Sequence, residues 1–199
     1  MQPPPSRLIV GVSGASGVIY GVRTLEALQE TTVETHLVMS KAAELTLAYE
    51  TDRRGSDLRD LADVSYPIGD IGASISSGSF KTLGMLIAPC SVRTMSEIAS
   101  GVTTTLLTRA ADVVLKERRR LVLMVRETPL HTGHLRTMLA LSEMGAVIMP
   151  PVPAFYARPG SLEDMLRQTV GRALDLFDID TESVRRWGED LATTPRDRK

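Results

Sequence analysis

Short apolar runs alternate along this chain with longer stretches in which apolar residues return every three or four positions. Leu8 to Val12 has the length of a buried strand, and from Val18 to Glu30 apolar side chains recur at Val18, Val22, Leu25 and Leu28, which is helical spacing. A second strand and helix are predicted over Val33 to Met39 and Lys41 to Glu50. Three more strands are predicted at Leu83 to Ala88, Leu121 to Val125 and Ala146 to Met149, with helical patterns between them. Strands that alternate with helices pair in parallel through right-handed crossovers and carry helices on both faces of the sheet. The fold class expected is α/β, in three layers.

With 199 residues, 43% of them hydrophobic, the chain can bury one full-sized core. One domain is expected over 7–190, with a flexible start (1–6) and a flexible charged tail (191–199). Between Asp63 and Lys81 the sequence is rich in Gly and Ser and weakly periodic, so a mobile flap or a subunit contact is expected there. Lys and Arg total 23 against 24 Asp and Glu, which leaves no net field to draw nucleic acid or an anionic membrane surface. Any anion site must be local. Cys90 stands alone, which excludes an intrachain disulfide and a Cys-rich zinc site and fits a reducing compartment, by default the cytoplasm. No signal peptide and no membrane span is read.

In open parallel sheets ligands sit beyond the carboxyl ends of the strands. The first end is Ser13-Gly14-Ala15-Ser16-Gly17, a turn into a helix whose amides would suit a phosphate; the alternative is a plain tight turn with Ser as cap. Gly11, Gly14 and Gly17 lie three apart, and the second strand ends in Met39-Ser40-Lys41 without a carboxylate. Both features depart from the dinucleotide fingerprint and favour a ligand with one phosphate and a ring system. Pro89-Cys90-Ser91-Val92-Arg93-Thr94 repeats the device at the third end, with helix capping as the alternative for Ser91. The fourth end is Arg126-Glu127-Thr128-Pro129, and the fifth opens a proline-rich segment, Pro150 to Tyr156, expected to be a rigid loop. Arg109, Lys116, Arg126 and Arg172, with Tyr156 and Glu127, form the candidate basic set, although a single Arg or Lys is usually a solvated surface charge. Cys90 reads as a small buried filler, His131 and His134 as a polar helix face, and Asp175, Asp178 and Asp180 as solvated charges; no metal site is expected.

Several blocks together resemble the UbiX-type flavin prenyltransferases, once described as aromatic acid decarboxylases, from about Arg7 to Trp187. They are Gly11 to Gly17, Met39 to Ala43, Ser76 to Phe80, Pro89 to Ser91, Arg109 to Arg118, Arg126 to Leu130 and Pro153 to Tyr156. The resemblance implies a flavodoxin- or Rossmann-like sheet and transfer of a dimethylallyl group from dimethylallyl phosphate to reduced flavin mononucleotide (FMN), through flavin N5 and C6. It implies that Gly14, Ala15, Ser16, Ser40, Ser91, Val92, Arg93, Thr94 and Arg126 hold the flavin nucleotide. Tyr156, Arg172, Arg109 and Lys116 would bind the prenyl phosphate, with Glu127, Ser16 and Lys116 in catalysis. It further implies a homododecamer with sites between subunits, and a UbiD-type decarboxylase as recipient of prenylated FMN, in ubiquinone biosynthesis or aromatic acid catabolism.

The residue chemistry is compatible with that implication. A departing phosphate carries about two negative charges, which Arg and Lys can stabilise without a metal. No aspartate-rich motif for a magnesium-bound diphosphate is convincing here, so a monophosphate donor fits better. Three alternatives are carried. The chain could be an FMN-dependent decarboxylase of aromatic acids, or a non-catalytic flavin carrier. The third is a decarboxylase of peptidyl or pantothenoyl cysteine, whose relatives place a His before the third strand, where Asp63 to Lys81 has none.

Overall fold

The computed structural model of the chain describes residues 6–189 except 182, so the expected flexible ends lie, apart from Ser6, outside the described residues. In chain order the elements are β1 (Arg7–Val12), α1 (Ile19–Gln29), β2 (Glu34–Met39), α2 (Lys41–Glu50), α3 (Gly55–Arg59), β3 (Val64–Tyr66), β4 (Gly84–Cys90), α4 (Val92–Ala99), α5 (Leu106–Lys116), β5 (Arg120–Val125), α6 (Thr132–Glu143), β6 (Val147–Ile148) and α7 (Leu162–Asp175). The strands form one parallel sheet in the order β3-β2-β1-β4-β5-β6. The direction of winding reverses between β1 and β4, which opens a crevice beyond their carboxyl ends.

Alternation along the strands builds two cores. Leu8, Val10 and Val12 of β1, Leu86 and Ala88 of β4 and Val122 and Met124 of β5 point to one face, where they pack with residues of α1 and α7. Ile9, Met85, Ile87, Leu121, Leu123 and Val125 point to the other, against α4, α5 and α6. Both faces of the central strands are therefore dry, which is why these strands read as unbroken apolar runs. The three-layer α/β/α expectation holds.

Two local expectations are corrected. β4 runs on past Ala88 through Pro89 and Cys90, with a register shift between Ile87 and Cys90. Proline cannot donate, but the Pro89 carbonyl accepts from the Ser13 amide at 3.2 Å and from Ser13 Oγ at 2.9 Å. The second correction concerns Asp63 to Lys81, expected as an aperiodic segment forming a mobile flap or a subunit contact: it contains a strand and is bonded to the rest of the chain. Val64–Tyr66 pairs with β2, and the Tyr66 hydroxyl bridges His36 Nδ1 at 2.9 Å and Ser74 Oγ at 2.7 Å. Arg119 donates to the carbonyls of Phe80 (2.6 Å) and Gly78 (2.7 Å).

Candidate functional site

Ser13 joins the carboxyl ends of β1 and β4. Buried at the end of β1, its Oγ donates to the Pro89 carbonyl and accepts from the Ser91 amide at 2.7 Å. The turn after β1 also approaches α2 closely. A Cβ on Gly14 would stand 2.4 Å from the Ala42 Cβ, so any side chain there would push the two apart. Ser40 caps α2 by accepting from the Ala43 amide at 3.1 Å, and Ser91 caps α4 by accepting from the Thr94 amide at 3.2 Å. Each cap sets the positive end of a helix dipole at the same crevice.

One expectation about the first turn changes. The Gly17 and Val18 amides, which open α1, do face an anion, but it is internal: the Glu50 carboxylate accepts from them at 2.8 and 3.1 Å. Glu50 arrives from the last turn of α2 and neutralises the start of α1. The starts of α2, α4 and α5 remain at this edge to serve a ligand.

Around these caps lies a cavity of about 630 Å³. Gly14, Ala15, Ser16, Ser40, Ser91, Val92, Arg93, Thr94, Arg126 and Glu127 all line it. Arg126 follows β5, its amide donating to the Cys90 carbonyl at 3.1 Å, and the Glu127 carboxylate accepts from the Thr128 amide at 2.9 Å. Burial raises the Tyr20 pKa, and the Arg126 charge only partly offsets the rise. Lys41 and Ala42, from the second strand end and the Met39 to Ala43 block, line it too, and five further lining residues were not singled out from the sequence: Ile68, Glu97, Thr105, Leu107 and Thr108. Thr105 was findable as a Thr cap ahead of an apolar run, since it accepts from the Thr108 amide at the start of α5. Ile68 gave no signal, because it belongs to the aperiodic segment and reaches the site through its carbonyl bond to the Leu106 amide (2.9 Å).

The other named residues fall into two groups that the single chain keeps off this cavity. Arg109 and Lys116 are seven residues apart on α5, about 10 Å along one face. Arg109 donates to the Ser76 carbonyl at 3.3 Å and to Asp112 at 2.8 Å, while Lys116 is paired with Glu117 beside Gly78. That Lys116 bond holds the Glu117 carboxyl below its ordinary value. Lys116 ends a helix that begins at the cavity, so it lies toward the amino edge of the sheet. Tyr156 and Arg172 form the second group, near the carboxyl-terminal segment. Tyr156 meets Trp187 edge to face, with ring centroids 5.9 Å apart, and Arg172 donates to Asp175 at 2.5 Å.

Three side readings can also be placed. Cys90 is fully buried, its thiol pushed up to about 12 by desolvation, as suits a filler. His131 caps α6 and stacks on His134 with centroids 3.6 Å apart. Asp175 is not a solvated charge: with 12% of its side chain exposed, it binds both Arg172 and Arg186. Burial pushes its carboxyl up, but the two guanidinium groups outweigh that and hold it below the ordinary value.

A parallel sheet with capped helix starts around one cavity at its switch point is the frame of a flavoprotein, and residues 2–171 match the family model described as Flavoprotein. The chain is 65% identical over 174 residues to the flavin prenyltransferase UbiX of Escherichia coli (strain K12), which spans 87% of this chain and 92% of that protein. It is similar to the crystal structure of AnUbiX (PadA1) in complex with FMN and dimethylallyl pyrophosphate, with TM-score 0.91, 54% identity and 93% and 98% of the two chains covered. A dodecameric FMN-dependent UbiX-like decarboxylase from Escherichia coli O157:H7 superimposes with TM-score 0.89 and 50% identity over 91% of this chain and 98% of that one. The chain belongs to the flavin prenyltransferase UbiX family of flavoproteins.

Proposed function

We propose that this protein transfers a dimethylallyl group from dimethylallyl phosphate to reduced FMN. The observation that carries it is the convergence of Gly14 to Ser16, Ser40, Ser91 to Thr94, Arg126 and Glu127 on one cavity in a chain of this family. Its volume lies within the ~300–1,000 Å³ of cofactor sites. Its chemistry also fits the nucleotide. The starts of α2 and α4 and the Arg126 guanidinium offer amides, hydroxyls and positive charge to one phosphate and its ribityl chain. Ile68, Val92 and Leu107 give a ring system apolar contact.

FMN, when bound and reduced, supplies N5 and C6 as the atoms that accept the prenyl carbons. The chain's own part is positioning and charge. Glu127 stands at the cavity wall, where its carboxyl can give a proton to the departing phosphate and later take one from the flavin edge. Ser16, on the same rim, can hydrogen-bond the phosphate ester as it turns into inorganic phosphate. Arg109, Lys116 and Arg172 neutralise the leaving group and the Tyr156 hydroxyl hydrogen-bonds it, and because one chain keeps the two pairs apart, copies of the chain complete the subsite in an assembly. The dodecameric relative supports such an assembly, and a homododecamer is proposed here. The modified flavin then passes to a UbiD-type decarboxylase. The lone buried thiol suits work in the cytoplasm, and among the described residues no helix is long and apolar enough to cross a membrane.

Incubating the protein with reduced FMN and dimethylallyl phosphate without oxygen tests this. A flavin heavier by one prenyl unit is expected by mass spectrometry. FMN that binds but is recovered unchanged would instead make the protein a flavin carrier.

A further inference from the structure

Asp175, the last residue of α7, holds two cations at once. Arg186 meets it as a fork, Nη1 to Oδ2 at 2.8 Å and Nη2 to Oδ1 at 3.0 Å, while Arg172, one helical turn before it, donates from Nη1 to Oδ2 at 2.5 Å. The next residue after Arg186 is Trp187, whose ring abuts Tyr156 at 88°. Arg172 and Tyr156, both assigned to the prenyl phosphate, are thus tied into one cluster by residues with no role so far.

Docking of the terminal segment does not explain this cluster. Gln168, 4% exposed, already holds that segment by a reciprocal pair of bonds to Arg185, donating to its carbonyl at 3.2 Å and accepting from its amide at 2.9 Å. Val184 packs within 2.5 Å of where a Gly171 Cβ would stand, so the segment is seated on α7 before Asp175 is reached. What Asp175 adds is direction for Arg172. A long side chain carries about 2 kcal/mol of rotamer entropy, and a fixed carboxylate removes much of that freedom before the ligand arrives. Arg186 makes the arrangement reversible. When Arg172 turns toward a phosphate, the forked pair keeps the half-buried Asp175 neutralised, so no unpaired charge is left behind.

We propose that Asp175 and Arg186 are positioning residues that hold Arg172, and through Trp187 also Tyr156, in readiness for the phosphate of the prenyl donor; this rests on the reading of Arg172 and Tyr156 given under Proposed function. Steady-state prenylation with dimethylallyl phosphate varied at saturating reduced FMN tests it. Asp175→Ala should raise the KM for dimethylallyl phosphate about 10- to 100-fold and leave the FMN dissociation constant unchanged. Asp175→Asn, which keeps an acceptor oxygen, should recover part of the loss. In an Arg172→Ala background, Asp175→Ala should add nothing, because both changes remove one effect. Should Asp175→Ala fail to fold, the Asn variant carries the test through its raised KM at unchanged FMN affinity.

An unchanged KM in the folded Asp175 variants, or effects of Asp175 and Arg172 that simply add, overturns the positioning role. So does an Arg172→Ala variant with normal KM. Failure of the function itself looks different: the unmodified protein would then yield no prenylated flavin.

Discussion

The cavity at the carboxyl edge and the cationic groups on α5 and α7 are built on opposite plans. The first is framed by strand ends and helix starts of one chain. Ser13, Ser40, Ser91 and Thr105 each spend their side chains on neighbouring backbone, and the strand ends they follow are fixed by a buried sheet. The second is divided between two places, with Arg109 and Lys116 over the Ser76 to Gly78 turn and Tyr156 and Arg172 beside Trp187. In each place the cations are occupied by local carboxylates, Asp112, Glu117 and Asp175. Topology alone brings the first set of residues to one cavity, whereas it leaves the second set on separate parts of the chain.

The strongest way to break this contrast acts where the two regions must cooperate. Glu127→Gln should lower turnover by ~10²–10⁴-fold, the usual worth of general acid–base catalysis, while leaving FMN affinity unchanged. Turnover that survives in Glu127→Gln removes the carboxyl from proton transfer.

A smaller effect separates the regions by stability. Ser13→Ala orphans the Ser91 amide and one bond of the Pro89 carbonyl, and should cost about 1–3 kcal/mol by denaturant unfolding while weakening FMN. The response of Arg109 and Lys116 to solvent should not change, since their bonds run to a different segment. Equal loosening of both regions, read by hydrogen exchange, would show that they are one unit.

The smallest expected effect marks the other region. His36 is buried between Glu34 and the Tyr66 hydroxyl that leads to Ser74. Desolvation holds its pKa below the ordinary 6.5, against the pull of Glu34. The native state therefore binds fewer protons than the unfolded chain just below that value, and stability falls as pH drops through the window beneath 6.5. Exchange protection should fade first around Ser74 to Phe80, and His36→Gln should flatten the dependence. Fading that begins at the Ser13 to Gly17 turn contradicts the assignment.

How much of this could be read from the residues differs along the same divide. The strands were legible because a sheet buried on both faces demands unbroken apolar runs, and Ser40 and Ser91 were legible because caps sit at fixed offsets from helix starts. β3 was not, since Val64–Tyr66 is a short strand with no buried residue and its pairing is set by β2 rather than by its own pattern. Glu50 was invisible for a related reason: it lies 33 residues from Gly17, and only the crossover brings its carboxylate to the start of α1. The family resemblance named Lys116, Tyr156 and Arg172, but no spacing rule within a chain could say that they would stand on two separate surfaces.

Mixed assemblies test the central claim most directly. Lys116→Ala and Arg172→Ala chains, each poorly active alone, can be unfolded together, reassembled and assayed for prenylated FMN. If a site draws Lys116 and Arg172 from different copies, some sites in the mixture inherit both intact residues and activity rises above either parent. Mixed assemblies of confirmed composition that stay at the parental level would contradict it, because the two cations would then have to serve a site from the same chain or no site in common.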